Sequence, residues 1–464
     1  MKKILKFLKW SVIVLLGLPV VLYLVWVVGN LKKDELSPEL TRLLAQQHSQ
    51  MPEKDNAYFD TIGLAAPADM EPHAWGVSWF TQAAANDHAV LEDKPAVPVN
   101  LAGYPAMNRM PELPCTQRDA QRTCLQEVAS DIPAVQKQLA EEAITLQRLD
   151  ALLDKAYQEP RRELSFKSEL PPLAATARAS RLAQVRIAVA MIQHRDDAAL
   201  ARWKNETAFA LRQARASHTL ISTLVPVSAL SRYQRLLAEY ISANPKAARA
   251  HARDLQAMLA PFERHVISLQ PALEGEAEYA ARSFLSRQMS LGNDADEDAP
   301  VVKKITEVLA TPLYDRRASA NEFSARILEY ARVAELKEDE YRAGVKKMAE
   351  QGDTLAAEAM SFHFHNPVGK LLLGIAGSFD YSGYLYKCDE IAANKALLAF
   401  AVDMIARNIT SPGQIAQEIS ARKAQLTHPY SGELPVWDEN RRTLSYAVPA
   451  SVELHNYVPL AVRL

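Results

Sequence analysis

Two histidines, His363 and His365, followed by Asp380, Tyr381, Tyr384, Tyr386, Asp389 and Glu390, form the densest group of side chains in this sequence that could do chemistry. Histidines two apart share a face only in extended chain. If residues 361–366 are extended, His363 and His365 can chelate a metal together with a carboxylate from the next helix, and Asp380, Asp389 and Glu390 are the carboxylates on offer. That would be the centre of a hydrolase or another metal-dependent enzyme. Against it, the pair closes a helical run and meets Asn366-Pro367, so the two rings are expected to point apart. No metal and no cofactor are expected.

Other candidates are thinner. Ser420-Ala421-Arg422-Lys423 has the spacing in which a lysine one turn on takes a serine's proton, but it falls mid-helix and lacks companion motifs. Asp294, Asp296 and Asp298 start like a calcium loop, yet Ala299 stands at the glycine position and Ile305 at the bidentate glutamate position, so a solvated linker is the better reading. There is no His-Glu-x-x-His, no Gly-x-Ser-x-Gly, no P-loop and no Gly-x-Gly-x-x-Gly. Cys115 and Cys124, close together beside a Pro-rich stretch, are expected to pair as a disulfide in an oxidising compartment. Cys388 is left as a buried thiol. His218 and Lys395, on apolar stripes, are expected to be a hydrogen-bonded core histidine and a structural ion-pair lysine.

The elements that must position these residues are helices. Ser37-Pro38-Glu39 is a cap, a first-turn proline and a first-turn acid, starting a helix to about Gln47. Residues 50–114 carry eight prolines and read as largely irregular, with short helices pinned to a helical body by Trp75, Trp79 and Phe80. From Asp131 onward apolar residues recur at helical steps: Ile132 to Leu153, Leu182 to Ile192, then Leu200 to Ile221 through His218. Breaks are expected at Pro171-Pro172, Asp196-Asp197, Pro226 and Pro261. Beyond Gly292–Pro300, helices are expected near 301–310, 319–335, 337–350 and 353–363, then a long one from Asp380 to Asn408 and a last one after Ser411-Pro412. Leu434–Trp437 and Thr443–Val448 read as a small hairpin. The fold class is therefore all-α: an irregular multi-helix bundle with a small C-terminal β-hairpin. Its parts are 31–130 as a covering segment, 131–291 and 301–427 as helical parts on either side of an acidic linker at 292–300, and 428–464 as the tail.

Composition fits that class. Glycine is 15 of 464 residues, about 3% against a usual ~7%. Net charge is −2, so no basic surplus exists to neutralise phosphates and nucleic-acid binding is not expected. The address comes from the N-terminus. Trp10 to Val28 contains no charge, long enough to cross a bilayer as a helix. Lys2, Lys3, Lys6 and Lys9 precede it, which holds residues 1–9 in the cytoplasm and sends roughly 430 residues across. A single-pass anchor at 10–30 in a bacterial inner membrane, with the body in the periplasm, is expected; a cleaved signal would need a shorter apolar stretch and a clearer cleavage site.

The tail adds a family likeness. Pro429-Tyr430-Ser431-Gly432, Trp437-Asp438 and Leu444-Ser445, with Asn366-Pro367-Val368-Gly369-Lys370 upstream, resemble elements of a group of uncharacterised bacterial envelope proteins. The likeness covers about the last hundred residues; Leu434-Pro435 shifts its usual proline position. It implies a shape and no reaction. The expected function is binding of envelope partners without catalysis, and the alternative is an enzyme built on His363 and His365.

Overall fold

The structure, a computed structural model, describes residues 17–46, 50–92, 94–95, 99, 112–115, 122–260, 267–286, 308–359, 363–376, 380–449 and 459–464. It is mostly helical, with one small three-stranded sheet near the C-terminus.

The centre is built from Leu173–Ile192, Asp196–Arg215 and Leu220–Ala243, three helices joined by tight breaks and packed on one another. Asp196–Arg215 is alanine-rich and nearly free of β-branched residues, which favours helix. Val185, Ile187, Trp203, Leu230, Tyr233, Leu236 and Leu237 all lie within the shared core, and Leu182 is buried in a smaller cluster with Leu113 and Leu146. The Trp203 indole donates to the Tyr233 carbonyl at 2.7 Å, so even this large ring has its polar atom satisfied. The long helix Ser382–Ala406 packs on Leu220–Ala243, and the Gln234 amide donates to the Ile391 carbonyl at 2.8 Å between them. A second pair, Gln270–Leu285 with Arg316–Glu335, makes the most extensive helix contact in the molecule. Small residues allow it: Ala277, Ala280, Ala281 and Ala320 are buried there, and the Ser324 hydroxyl donates to the Ala277 carbonyl at 2.9 Å.

The sheet runs β1 (Val436–Asp438), β2 (Thr443–Ser445), β3 (Ala461–Arg463), antiparallel throughout. Trp437 pairs with Leu444, and Leu444 with Val462. Leu444 and Val462 are wholly buried against the helical body, which anchors a sheet too small to stand alone. Gly432, at φ +75°, makes the turn before β1 that a side chain would strain.

Several expectations need correction. The 50–114 segment contains a regular helix, Pro72–Leu91. Its proline is at the first helical position, and Glu71 caps it by accepting from the His73 and Ala74 amides. Trp79 is buried as expected and its ring lies under the Arg162 guanidinium. Pro226 does not break the chain but sits inside Leu220–Ala243, in its second turn. The Leu200–Ile221 stripe is interrupted, because that helix ends at Arg215 and His218 lies in the following break. The helices expected at 337–350 and 353–363 are one, Glu338–Ala359. The long helix starts at Ser382, not Asp380. The hairpin has a third strand. The Gly292–Pro300 linker and most of 301–310 lie outside the described residues.

Cys115 and Cys124 are bonded, with Cα atoms 4.4 Å apart, and Cys388 is a buried free thiol. Among the described residues no helix is long and apolar enough to cross a membrane. The expected anchor at 10–30 is described only from residue 17, and its helical turns, 17–29, rise about 20 Å.

Candidate functional site

The apolar run is not apolar all round. Tyr23, Trp26 and Asn30 are the polar-tipped residues of 17–30, and their spacing of three and four puts them on one face. That face alone is covered. Leu18, Val20, Val21, Leu22, Leu24, Val25 and Val28 are each more than half exposed, whereas Tyr23 and Trp26 are half-buried and Asn30 is buried.

Each of the three bonds to the second helical part. The Tyr23 hydroxyl donates to the Leu309 carbonyl at 3.0 Å. The Trp26 indole donates to the Phe364 carbonyl at 2.7 Å. The Asn30 amide donates to the same carbonyl at 2.8 Å and to the Trp26 carbonyl at 2.9 Å. Its oxygen accepts the Asn366 N–H at 2.7 Å. Gly29 lets the Phe364 ring seat on the helix: a Cβ there would come within 2.3 Å of the ring.

Asn366 is the hub. It holds φ +48°, a left-handed conformation that asparagine tolerates better than most residues, and it is buried. Its side-chain oxygen accepts the Asp315 N–H at 2.7 Å and its amide donates to the Ser319 hydroxyl at 2.9 Å. One residue thus ties the apolar helix, the start of Arg316–Glu335 and the start of Pro367–Ala376.

Below this level the contacts become charged. The Lys33 ammonium donates to the Pro312 and Tyr314 carbonyls, each at 3.0 Å; partial burial lowers its pKa and the Asp315 charge opposes that. Asp315 caps its helix by accepting from the Arg317 and Ala318 amides, and its other oxygen accepts the Asp34 N–H at 2.7 Å. Asn321 clasps the Ser37 N–H and the Glu35 carbonyl, and Arg332 meets Glu39 at 2.6 Å. The chain from Tyr23 to Glu39 is therefore stitched along 309–332 across 279 to 293 residues of sequence.

The histidines and carboxylates singled out from sequence go to different partners. His365 points to this junction, with Nε2 3.4 Å from Asp34. Ligand atoms of Asp34, Asp315 and His365 lie within 4.8 Å of one another, the one such group among the described residues, but Asp315 already has both oxygens engaged as a cap. His363 is half-buried beside Phe364. Asp380 accepts from Ser382 N, Ser382 Oγ and Tyr330 OH, which makes it the local cap of the long helix. Asp389 accepts from Tyr341 OH at 2.5 Å. Glu390 is buried, and desolvation raises its pKa to about 7 against the pull of Asn394 and Arg235. Ser420 and Lys423 are both exposed, on either side of a helix break at Arg422.

Other buried polar groups serve packing. Glu159 accepts from the His218 and Thr219 amides and from Ser222 Oγ, capping Leu220–Ala243 from a neighbouring segment. It lines a cleft with Tyr58, Arg161, Arg162, His218 and Glu278. Arg162 pairs with Asp87 at 2.7 and 3.0 Å, both buried. Lys395 is held in the core, where burial and the nearby Arg215 lower its pKa to about 8. His428, in the tail motif, is fully buried: it stacks on Tyr386 and abuts Tyr446. Its Nδ1 accepts from the Tyr430 amide at 3.2 Å, which places the proton on Nε2, an atom with no partner among the described residues. Burial lowers its pKa to about 4.

The junction was missed in the sequence because Tyr23 and Trp26 lie inside a run read only for its lack of charge, and Asn366 was read only with its neighbours, Pro367 to Lys370. The three-then-four spacing of Tyr23, Trp26 and Asn30 was the available signal. Comparison with protein families, curated proteins and solved structures finds no match to this chain.

Proposed function

We propose that residues 10–30 anchor this chain in a bilayer, N-terminus in the cytoplasm, and hold the helical body against the outer face of a bacterial inner membrane. There it works by binding other envelope components, without catalysis. One observation carries the reading: the helix hides its polar stripe against the body and leaves its apolar faces uncovered. A helix made for a water-filled surface would do the reverse. Seven aliphatic side chains on this helix are more than half exposed, and complete removal of such a side chain from water is worth roughly 1.5–3 kcal/mol, so an apolar medium around them would stabilise the helix. The likeness of the tail to envelope proteins agrees with this address.

The metal-enzyme alternative has less support, since His365, Asp380, Asp389 and Glu390 each serve a separate structural partner. Two measurements test the proposal. The chain should resist alkaline extraction from membranes, and a phosphatase fused to its C-terminus should be active outside the cytoplasm. Recovery in the soluble fraction, or a reporter active only in the cytosol, overturns it. Proteins that co-purify from solubilised membranes would identify the partner.

A further inference from the structure

The body's own surface continues the apolar face of the helix. Val308 is 70% exposed, Leu309 46% and Phe364 51%. They come from two segments far apart in sequence, yet both lie against the same helix, through the Tyr23–Leu309 and Trp26–Phe364 hydrogen bonds and the Phe364 ring on Gly29.

Their level along the helix matters. Lys32 is the first charge after the apolar run. The helix ends at Gly29, three residues earlier; Tyr23 precedes that end by six residues, about 9 Å along the axis, and Trp26 by three, about 4.5 Å. The Leu309 and Phe364 carbonyls therefore sit beside the apolar part of the run. The charged cluster of Lys33, Asp34, Asp315 and His365 lies beyond them on the side of the first charges. Backbone carbonyls at such a level must be satisfied within the protein. The Tyr23 phenol and the Trp26 and Asn30 N–H groups do this. The segment from Val308 to Leu313 carries no charged side chain.

We infer that Val308, Leu309 and Phe364 form a wedge that enters the boundary between headgroups and acyl chains beside the anchor, so the body is seated in the membrane surface as well as tethered to it. This rests on the anchored reading above. The occupant is lipid, because the patch lies against the helix whose outer faces are apolar and exposed, and the stretch Val308 to Leu313, between Glu307 and Asp315, carries no charge.

Single cysteines at Val308→Cys and Phe364→Cys, labelled with an environment-sensitive dye, test this in the full chain reconstituted in phosphatidylcholine–phosphatidylglycerol vesicles. Lipids with a spin label near the headgroup serve as quencher. Val21→Cys reports the anchor, and Val436→Cys reports an exposed position on the C-terminal sheet, outside both segments of the wedge. Quenching by about twofold or more at 308 and 364, matching 21 and absent at 436, is the expected result. Quenching at 21 alone overturns the wedge and leaves the anchor standing. No quenching at 21 overturns both. Val308 is open enough for its label to leave packing unchanged, so a folding defect in Phe364→Cys does not blunt the test.

Discussion

The region from His363 to Glu390 and the junction at Tyr23, Trp26 and Asn30 are both polar, and they are organised in opposite ways. The first is rich in residue types that do chemistry, but its members are dealt out singly: Asp380 to a helix cap, Asp389 to Tyr341, Glu390 to the core, His365 to Asp34. The second holds no histidine or carboxylate on its helical side, yet its three side chains converge on a few backbone atoms. Reactive side chains do not make a site; converging donors and acceptors make a specific joint.

The sharpest test of that contrast is Asn366→Ala. It strands the buried Asp315 N–H, takes one of its bonds from the Ser319 hydroxyl, which still donates to the Asp315 carbonyl, and puts alanine at positive φ. A loss of about 3–5 kcal/mol in chemical unfolding of the full chain in detergent is expected. A change below ~1 kcal/mol would mean the hub is incidental.

A histidine outside both regions sharpens the comparison through pH. His428 is neutral in the folded chain until about pH 4, whereas an unfolded histidine takes its proton near 6.5. Between those values the unfolded state binds more protons, so this group's contribution is full above pH 6.5 and is lost as pH falls toward 4, by up to roughly 3 kcal/mol. Glu206 and Glu390, raised to about 7 by burial, act in the opposite sense: stability they leave intact below pH 4.5 is lost as pH rises toward 7. The difference between wild type and His428→Gln stability curves isolates the histidine. It should slope across pH 4–6.5, and a flat difference would refute the assignment.

Gly29→Val should cost about 1–3 kcal/mol, because its side chain must displace the Phe364 ring. Proteolysis of the 363–367 segment should quicken in parallel. His365→Ala and Asp380→Asn are expected to change stability by less than ~1 kcal/mol each, since one loses an exposed ion pair and the other keeps a side chain that can cap. The smallest effect is expected from zinc. A stabilisation by zinc in thermal unfolding that vanishes in His365→Ala would revive the metal reading.

Much of the helical order was legible because it is local. Ser37-Pro38-Glu39 did start a helix, capped by Ser37. Ser411-Pro412 started another, whereas the break expected at Asp196-Asp197 falls just before them, and both belong to the first turn of Asp196–Arg215. The errors came from weighing prolines by number instead of place. Pro72 begins a helix, and the stretch after it runs proline-free to Leu91. Pro226 falls early enough in Leu220–Ala243 to be carried. Strand β3 escaped because its pairing with β2 is non-local and its side-chain pattern is only three residues long. Asn366 shows the general limit. Its local signal, asparagine before proline, marks the start of Pro367–Ala376, but the bonds that make it a hub reach 51 residues back to Asp315 and 336 back to Asn30.

That reach has a consequence for how the chain is made. Tyr23 leaves the ribosome 286 residues before its acceptor at Leu309. At 5–20 residues per second the delay is roughly 15–60 s. For that interval Tyr23 lacks the acceptor it has in the folded chain; in a helix anchored as proposed, its hydroxyl would stand open to insertion factors and to neighbouring helices in the lipid until 309–332 docks.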